Sequence, residues 1–69
     1  MNKNTLKIFG NTIRFYRNKL GITQEKLAEE CGFHRTYIGQ IERGERRVDA
    51  AELKELAKIL KKDVNYFLS

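Results

Sequence analysis

The sequence predicts an all-α fold, one compact domain over residues 1–69 built from five short helices. Three observations carry this expectation. Proline is absent, while Lys, Glu, Leu, Ala and Arg are abundant, a composition that favours helices over strands. Apolar residues recur at three- and four-residue steps, the period of a helix with one face toward a core. Each periodic run is short and ends in a glycine or a capping residue. Neighbouring runs must then fold back on one another around a shared interior.

The first helix is expected from about Thr5 to Lys19. Leu6, Phe9, Ile13, Tyr16 and Leu20 form its apolar stripe, and Gly21 stops it. Phe15 falls off the stripe and is either partly exposed or part of a contact surface. The second helix opens on Thr23 as N-cap and ends at Gly32, with Ile22, Leu27, Ala28 and Cys31 on its apolar side. The third begins near Arg35, turns Ile38 and Ile41 inward and stops at Gly44. Asp49 and Glu52 form an acidic capping box for the fourth, whose stripe is Leu53, Leu56, Ala57 and Leu60. Asp63 is expected to cap a fifth, short helix that returns Val64, Phe67 and Leu68 to the core.

Composition excludes several classes of function. The apolar runs are far too short to span a membrane, and no secretory leader pattern opens the chain. One cysteine permits no internal disulfide and suits a reducing cytoplasm. A single Cys and a single His cannot complete a metal site, so no metal or other cofactor is expected. Cys31 and His34 are the only catalytic pair on offer; no third group supports them, and the expectation is not an enzyme. No small-molecule pocket is evident. The net charge is +5, and residues 1–20 hold five bases and no acid. That balance fits either a solvated surface or attraction to a polyanion such as nucleic acid.

The segment from Gln24 to Arg43, QEKLAEECGFHRTYIGQIER, meets the demands of a helix-turn-helix. Ala28 is small where two helices would cross, Gly32 turns the chain, and Leu27, Phe33, Ile38 and Ile41 would lock the second helix in place. Its outward face carries Arg35, Thr36, Gly39, Gln40 and Arg43, mostly side chains able to hydrogen-bond to bases or phosphates. A helix of this kind fits the major groove of duplex DNA.

The chain resembles the phage repressor and Cro-like helix-turn-helix regulators, the XRE type, from Phe9 to Leu68. The matching elements are Ile13 and Arg17, Gly21-Ile22-Thr23-Gln24, Leu27-Ala28, Gly32, and Ile38-Gly39-Gln40-Ile41-Glu42-Arg43-Gly44. Leu56-Ala57 and Val64-Asn65-Tyr66-Phe67-Leu68 match as well. The run His34-Arg35-Thr36-Tyr37-Ile38 is similar to restriction–modification controller proteins. The resemblance implies a lambda-repressor-like fold and residue roles. Gln24 would touch a phosphate and brace the recognition helix. Arg35, Thr36 and Gln40 would read bases, Arg suiting guanine and Gln adenine. Arg17 and Glu42 would form a structural ion pair, and Arg43, Arg46 and Arg47 would contact phosphates.

Three residues depart from the family pattern. His34 stands where a Ser, Thr or Asp cap is expected, which implies a weaker helix start or a histidine facing DNA. Gly39 lies inside the recognition helix, where it either permits close approach to bases or is a neutral exposed position. Lys61 replaces the usual Gly or Asn after the fourth helix. Tyr37 is read as a phosphate donor or a half-buried packing residue. Tyr66 and Phe67 are read as core or, with Ile59, as a dimer seam. The expected function is a sequence-specific regulator of transcription in the cytoplasm of a bacterium, or encoded by a phage or plasmid. Its expected partners are double-stranded DNA and a second copy of itself on a palindromic operator, with half-sites about 34 Å apart. The competing reading is a protein-interaction module on the same fold, which predicts no tight DNA binding.

Overall fold

The computed structural model describes residues 2–67 and consists there of four α-helices and one 3-10 turn. Helix α1 spans Lys3–Lys19, α2 Gln24–Cys31, α3 Arg35–Glu42 and α4 Ala50–Leu60, and the 3-10 turn covers Val64–Phe67. The fifth helix expected from the sequence is therefore a correction. Asp63 does cap it, accepting from the Asn65 N–H at 2.8 Å, but the four-residue segment closes as a tight 3-10 turn and builds no α-helical ladder. Leu68 lies outside the described residues.

Local chemistry sets the helix ends. Asn2 starts α1 two residues before the expected position, its side chain accepting from the Thr5 N–H at 2.8 Å. Thr23 caps α2 through the Lys26 N–H at 3.0 Å. At Asp49 and Glu52 both hydrogen bonds of the capping box form, at 2.8 and 3.0 Å. Helix α2 ends because Gly32 turns left-handed at φ 74°, which lets the Phe33 N–H reach back to the Ala28 carbonyl at 2.8 Å. Lys61 takes the same left-handed conformation after α4, at φ 61°, without a glycine's freedom.

The core lies where α1, α2, α3 and α4 converge. Ile13, Leu27, Ile38, Ile41, Leu56 and Leu60 are fully enclosed. Each contributes about 1.5–3 kcal/mol relative to remaining in water. Ala28 of α2 is buried, as are Ile38 and Ile41, the inward stripe of α3. Phe67 packs edge-to-face on Phe9 and Tyr16 with centroids 6.2 and 5.9 Å away. It is part of the core, the first of the two places the sequence allowed it. Leu20, expected on the α1 stripe, is 38 % exposed, because the helix has ended and its residue is the cap.

Helix α1 lies directly against the end of α3. A Cβ at Gly10 would collide with the Ile41 carbonyl and stand 2.7 Å from that of Glu42. The glycine thus permits a backbone-to-backbone approach that no side chain would allow. This contact aligns α3 with the longest helix of the chain.

Candidate nucleic-acid interface

Glu42, the last residue of α3, is the buried acid among the described residues, 5 % exposed. A lone carboxylate there would be costly to desolvate. Arg17 of α1 answers it with a two-point contact, Nε to Oε2 at 2.6 Å and Nη2 to Oε1 at 3.1 Å. The third guanidinium nitrogen, Nη1, donates to the Ile22 carbonyl at 2.8 Å. Gln24, the first residue of α2, adds its Nε2 to Glu42 Oε1 at 3.0 Å. One carboxylate thereby joins α1, the α1–α2 turn, α2 and α3. These bonds are charge-assisted and specific in direction, so they hold the angle of α3 as well as its depth.

The beginning of α3 is held by His34. Its imidazole Nδ1 accepts from the Thr36 N–H at 3.1 Å, the role usually taken by an oxygen. The residue expected to cap poorly is thus the cap, because the ring nitrogen supplies the needed lone pair. Phe33, half-buried, packs edge-to-face on Tyr37 at 5.1 Å.

Between these two anchors α3 stands as a ridge with a hollow on either side. One hollow, of about 610 Å³, is lined by Arg17, Thr23, Gln24, Glu25, Arg35, Thr36, Gly39 and Arg43. The other, of about 550 Å³, is lined by Phe33, His34, Thr36, Tyr37, Gln40, Arg46 and Glu52. Thr36 borders both. Arg35 and Thr36 are exposed and Gln40 is half-exposed, while Ile38 and Ile41 face the core. Arg35 leans toward Glu25 at 3.5 Å on the open surface, a contact worth little in water.

Two residues of the expected face sit differently. Gly39 is buried, because the side chains of Arg43 and Gln24 lie across it. A Cβ there would stand 3.0 Å from Arg43 Nη1 and 3.7 Å from Gln24 Oε1. The glycine clears a path for the two side chains and borders the hollow beside Arg35 and Thr36. The Tyr37 hydroxyl is enclosed and makes no hydrogen bond. Burial, with the nearby Glu52 carboxylate adding to it, pushes this phenol up to about 12, against the pull of Arg46. The Tyr37 ring packs against Phe33 and the core. Its ring face supports the Arg46 guanidinium at 4.3 Å.

Arg43 carries a two-point contact with Glu45 at 2.9 and 3.2 Å, which raises the guanidinium pKa and lowers that of the carboxyl. Both are exposed, so the pair can open to another anion at small cost. Arg46 and Arg47 are exposed in the same loop. The sequence reading missed that Glu45 competes for Arg43; an acid two residues after the arginine was the available signal. Of the expected seam, Ile59 is half-buried against the core and Tyr66 is 54 % exposed.

Cys31 is buried, and burial pushes its thiol up to about 11, with Glu55 and Glu30 adding to the effect. It packs; it is not a nucleophile at neutral pH. Among the described residues no group of His, Cys, Asp and Glu could hold a metal ion. No helix among them is long and apolar enough to cross a membrane.

Two short helices at a glycine turn, the second presented as a ridge and braced at both ends, define a helix-turn-helix DNA-binding protein. Comparison with known proteins gives the same class. The helix-turn-helix family model matches residues 13–67, and the chain belongs to this family of XRE-type regulators. It is 46 % identical over 63 residues to control protein C.SmaI of Serratia marcescens, covering 91 % of this chain and 75 % of that one. It is 44 % identical over 61 residues to control protein C.BamHI of Bacillus amyloliquefaciens, covering 87 % and 75 %. Among solved structures, the restriction-modification controller protein C.AhdI of Aeromonas hydrophila superposes with a TM-score of 0.89 at 34 % identity, covering 94 % of each chain. The chain is a sequence-specific DNA-binding regulator of transcription and not an enzyme.

Proposed function

We propose that the chain reads a palindromic operator as a homodimer, with α3 of each copy in the major groove. The observation that carries this reading is the ridge. Arg35 and Thr36 stand exposed at the N-terminal end of α3, while the opposite face is locked by Ile38, Ile41 and the Arg17–Glu42–Gln24 contact. Arg35 would pair with guanine O6 and N7, Gln40 with adenine N6 and N7, and Thr36 with a base edge or thymine methyl. Gln24, His34, Arg43 and Arg46 border the ridge and, with the exposed Arg47 in the following loop, would hold the flanking phosphates. Gly39 serves this arrangement from beneath, by letting Arg43 and Gln24 cross α3.

One module of this size reads few base pairs, so two copies on half-sites about 34 Å apart would supply the specificity. Residues 1–69 would act as one unit, in the bacterial cytoplasm where the DNA is. The similarity to the control proteins and to the restriction-modification controller protein supports a role in controlling a restriction–modification system.

The test is selection of bound duplexes from a random pool, followed by R35A and Q40A on the winning site. Each bidentate base contact is worth about 1–3 kcal/mol of discrimination. Each variant should lose about tenfold or more in affinity and relax preference at its own base pair, with an unchanged melting curve. Equal affinity for selected and scrambled duplexes at moderate salt would overturn the reading.

A further inference from the structure

Helix α1 carries a strip that the helix-turn-helix does not use. Lys3, Lys7, Gly10, Arg14 and Arg17 recur at four- and three-residue steps and share one side of the helix. The strip's inner edge is accounted for: Gly10 abuts the Ile41 and Glu42 carbonyls, and Arg17 holds Glu42. Its outer edge is Lys3, Lys7 and Arg14, all exposed. The same strip reaches the loop after α3. A Cβ at Gly44 would stand 2.8 Å from Lys7 Cγ, so Lys7 rests against the loop that carries Arg43, Arg46 and Arg47.

Two further observations set these cations apart. Among the described residues, none of the three is held in an ion pair, and the acids nearest the end of α3, Glu42 and Glu45, are already taken by Arg17 and Arg43. The positive end of a helix dipole is also a poor place for lysine. Acids stabilise a helix N-terminus, yet α1 has no acid in its first turn and begins with Lys3. A local preference overridden in this way marks a surface kept for something other than stability.

We propose that Lys3, Lys7 and Arg14 form a second phosphate-binding edge, engaging the DNA backbone beyond the groove occupied by α3. The proposal rests on the DNA-reading assignment above and extends its footprint onto α1. The edge would meet phosphates and not base edges. It adds counterion release, and therefore affinity and salt dependence, equally on every sequence.

The experiment compares three proteins on the selected operator and on a scrambled duplex, by anisotropy over a range of salt concentrations. They are the parent, K7Q/R14Q, and K54Q/K58Q, which makes the same change in net charge on exposed positions of α4. Each lost phosphate contact lowers the salt slope by about 0.9. K7Q/R14Q should lower it by about 2 on both duplexes and keep the parent's base preference, and K54Q/K58Q should leave it at the parent value. Since Lys7 packs on Gly44, R14Q alone is measured as well and should lower the slope by about 1 with an unchanged melting temperature. A parent slope in R14Q and K7Q/R14Q, or an equal fall in K54Q/K58Q, overturns the proposal. A parent without base preference overturns the operator reading instead, while the slopes still report on α1.

Discussion

At the scale of single residues, the Arg17–Glu42 pair decides most. Its carboxylate and guanidinium side chains are 3 % and 11 % exposed, so solvent screens them little. Removing one partner from a buried pair costs about 3–5 kcal/mol, because the other is left charged and unpaired. A chain of 69 residues has a total stability of about 3–10 kcal/mol at roughly 0.05–0.15 kcal/mol per residue. R17M alone or E42L alone should therefore remove from about a third to all of that stability. The double variant R17M/E42L should recover most of the loss, as urea melts would show, while its α3 is held less firmly at one angle. Recovery of stability without recovery of operator binding would separate the two roles of the pair. Additive losses in the double variant would refute the coupling. Tyr37 offers the opposite case. Its enclosed hydroxyl lacks a partner, so Y37F should be neutral or stabilising by up to about 1 kcal/mol, with unchanged affinity for DNA. A Y37F protein that binds the operator several-fold more weakly would restore the phosphate contact.

At the scale of elements, most of the fold was legible because helix ends are written in local chemistry. Thr23, Gly32 and the Asp49–Glu52 box act where the sequence placed them. Three features were not legible, each for a physical reason. Capping by His34 depends on which ring nitrogen faces the Thr36 N–H, a matter of rotamer and tautomer. The covering of Gly39 depends on two long side chains, from α2 and from the end of α3, meeting across it. The last element stops at a 3-10 turn because Phe67 must fall back onto Phe9 and Tyr16 within four residues of Asp63. The departure at Lys61 has a measurable consequence. A non-glycine residue in the left-handed region costs about 1–2 kcal/mol, and glycine returns part of that gain as chain entropy. K61G should therefore stabilise by about 1 kcal/mol, raising the melting temperature of a domain this small by roughly 4–8 °C. The Lys62 N–H bond to the Ala57 carbonyl, now 3.0 Å, should persist. A lower melting temperature would mean that the Lys61 side chain stabilises the turn by more than its backbone strain.

At the scale of the whole molecule, the reading face and the proposed seam lie on different elements, and this lets them be tested apart. Tyr66 touches Tyr16 edge-on at 6.0 Å, and Tyr16 touches Phe15 at 5.2 Å, which makes one aromatic surface from the 3-10 turn to α1. Tyr66 and Phe15 are each 54 % exposed and belong to the unused side of the core. Phe15, off the apolar stripe of its helix, thereby gains a place next to the expected seam. A stable dimer hides about 800 Å² per partner, with most of its energy in a few central aromatic residues. Y66A and F15A should each weaken association by tenfold or more, read by sedimentation over a dilution series, with circular dichroism unchanged. Because two weakly held copies must then meet on the operator, binding should shift to higher protein concentration and become steeper in it. Affinity for an isolated half-site should stay at the parent value, since Arg35, Thr36 and Gln40 are untouched. If Y66A and F15A sediment as the parent does, the seam lies elsewhere. If the half-site affinity falls with them, the aromatic surface supports the reading head itself.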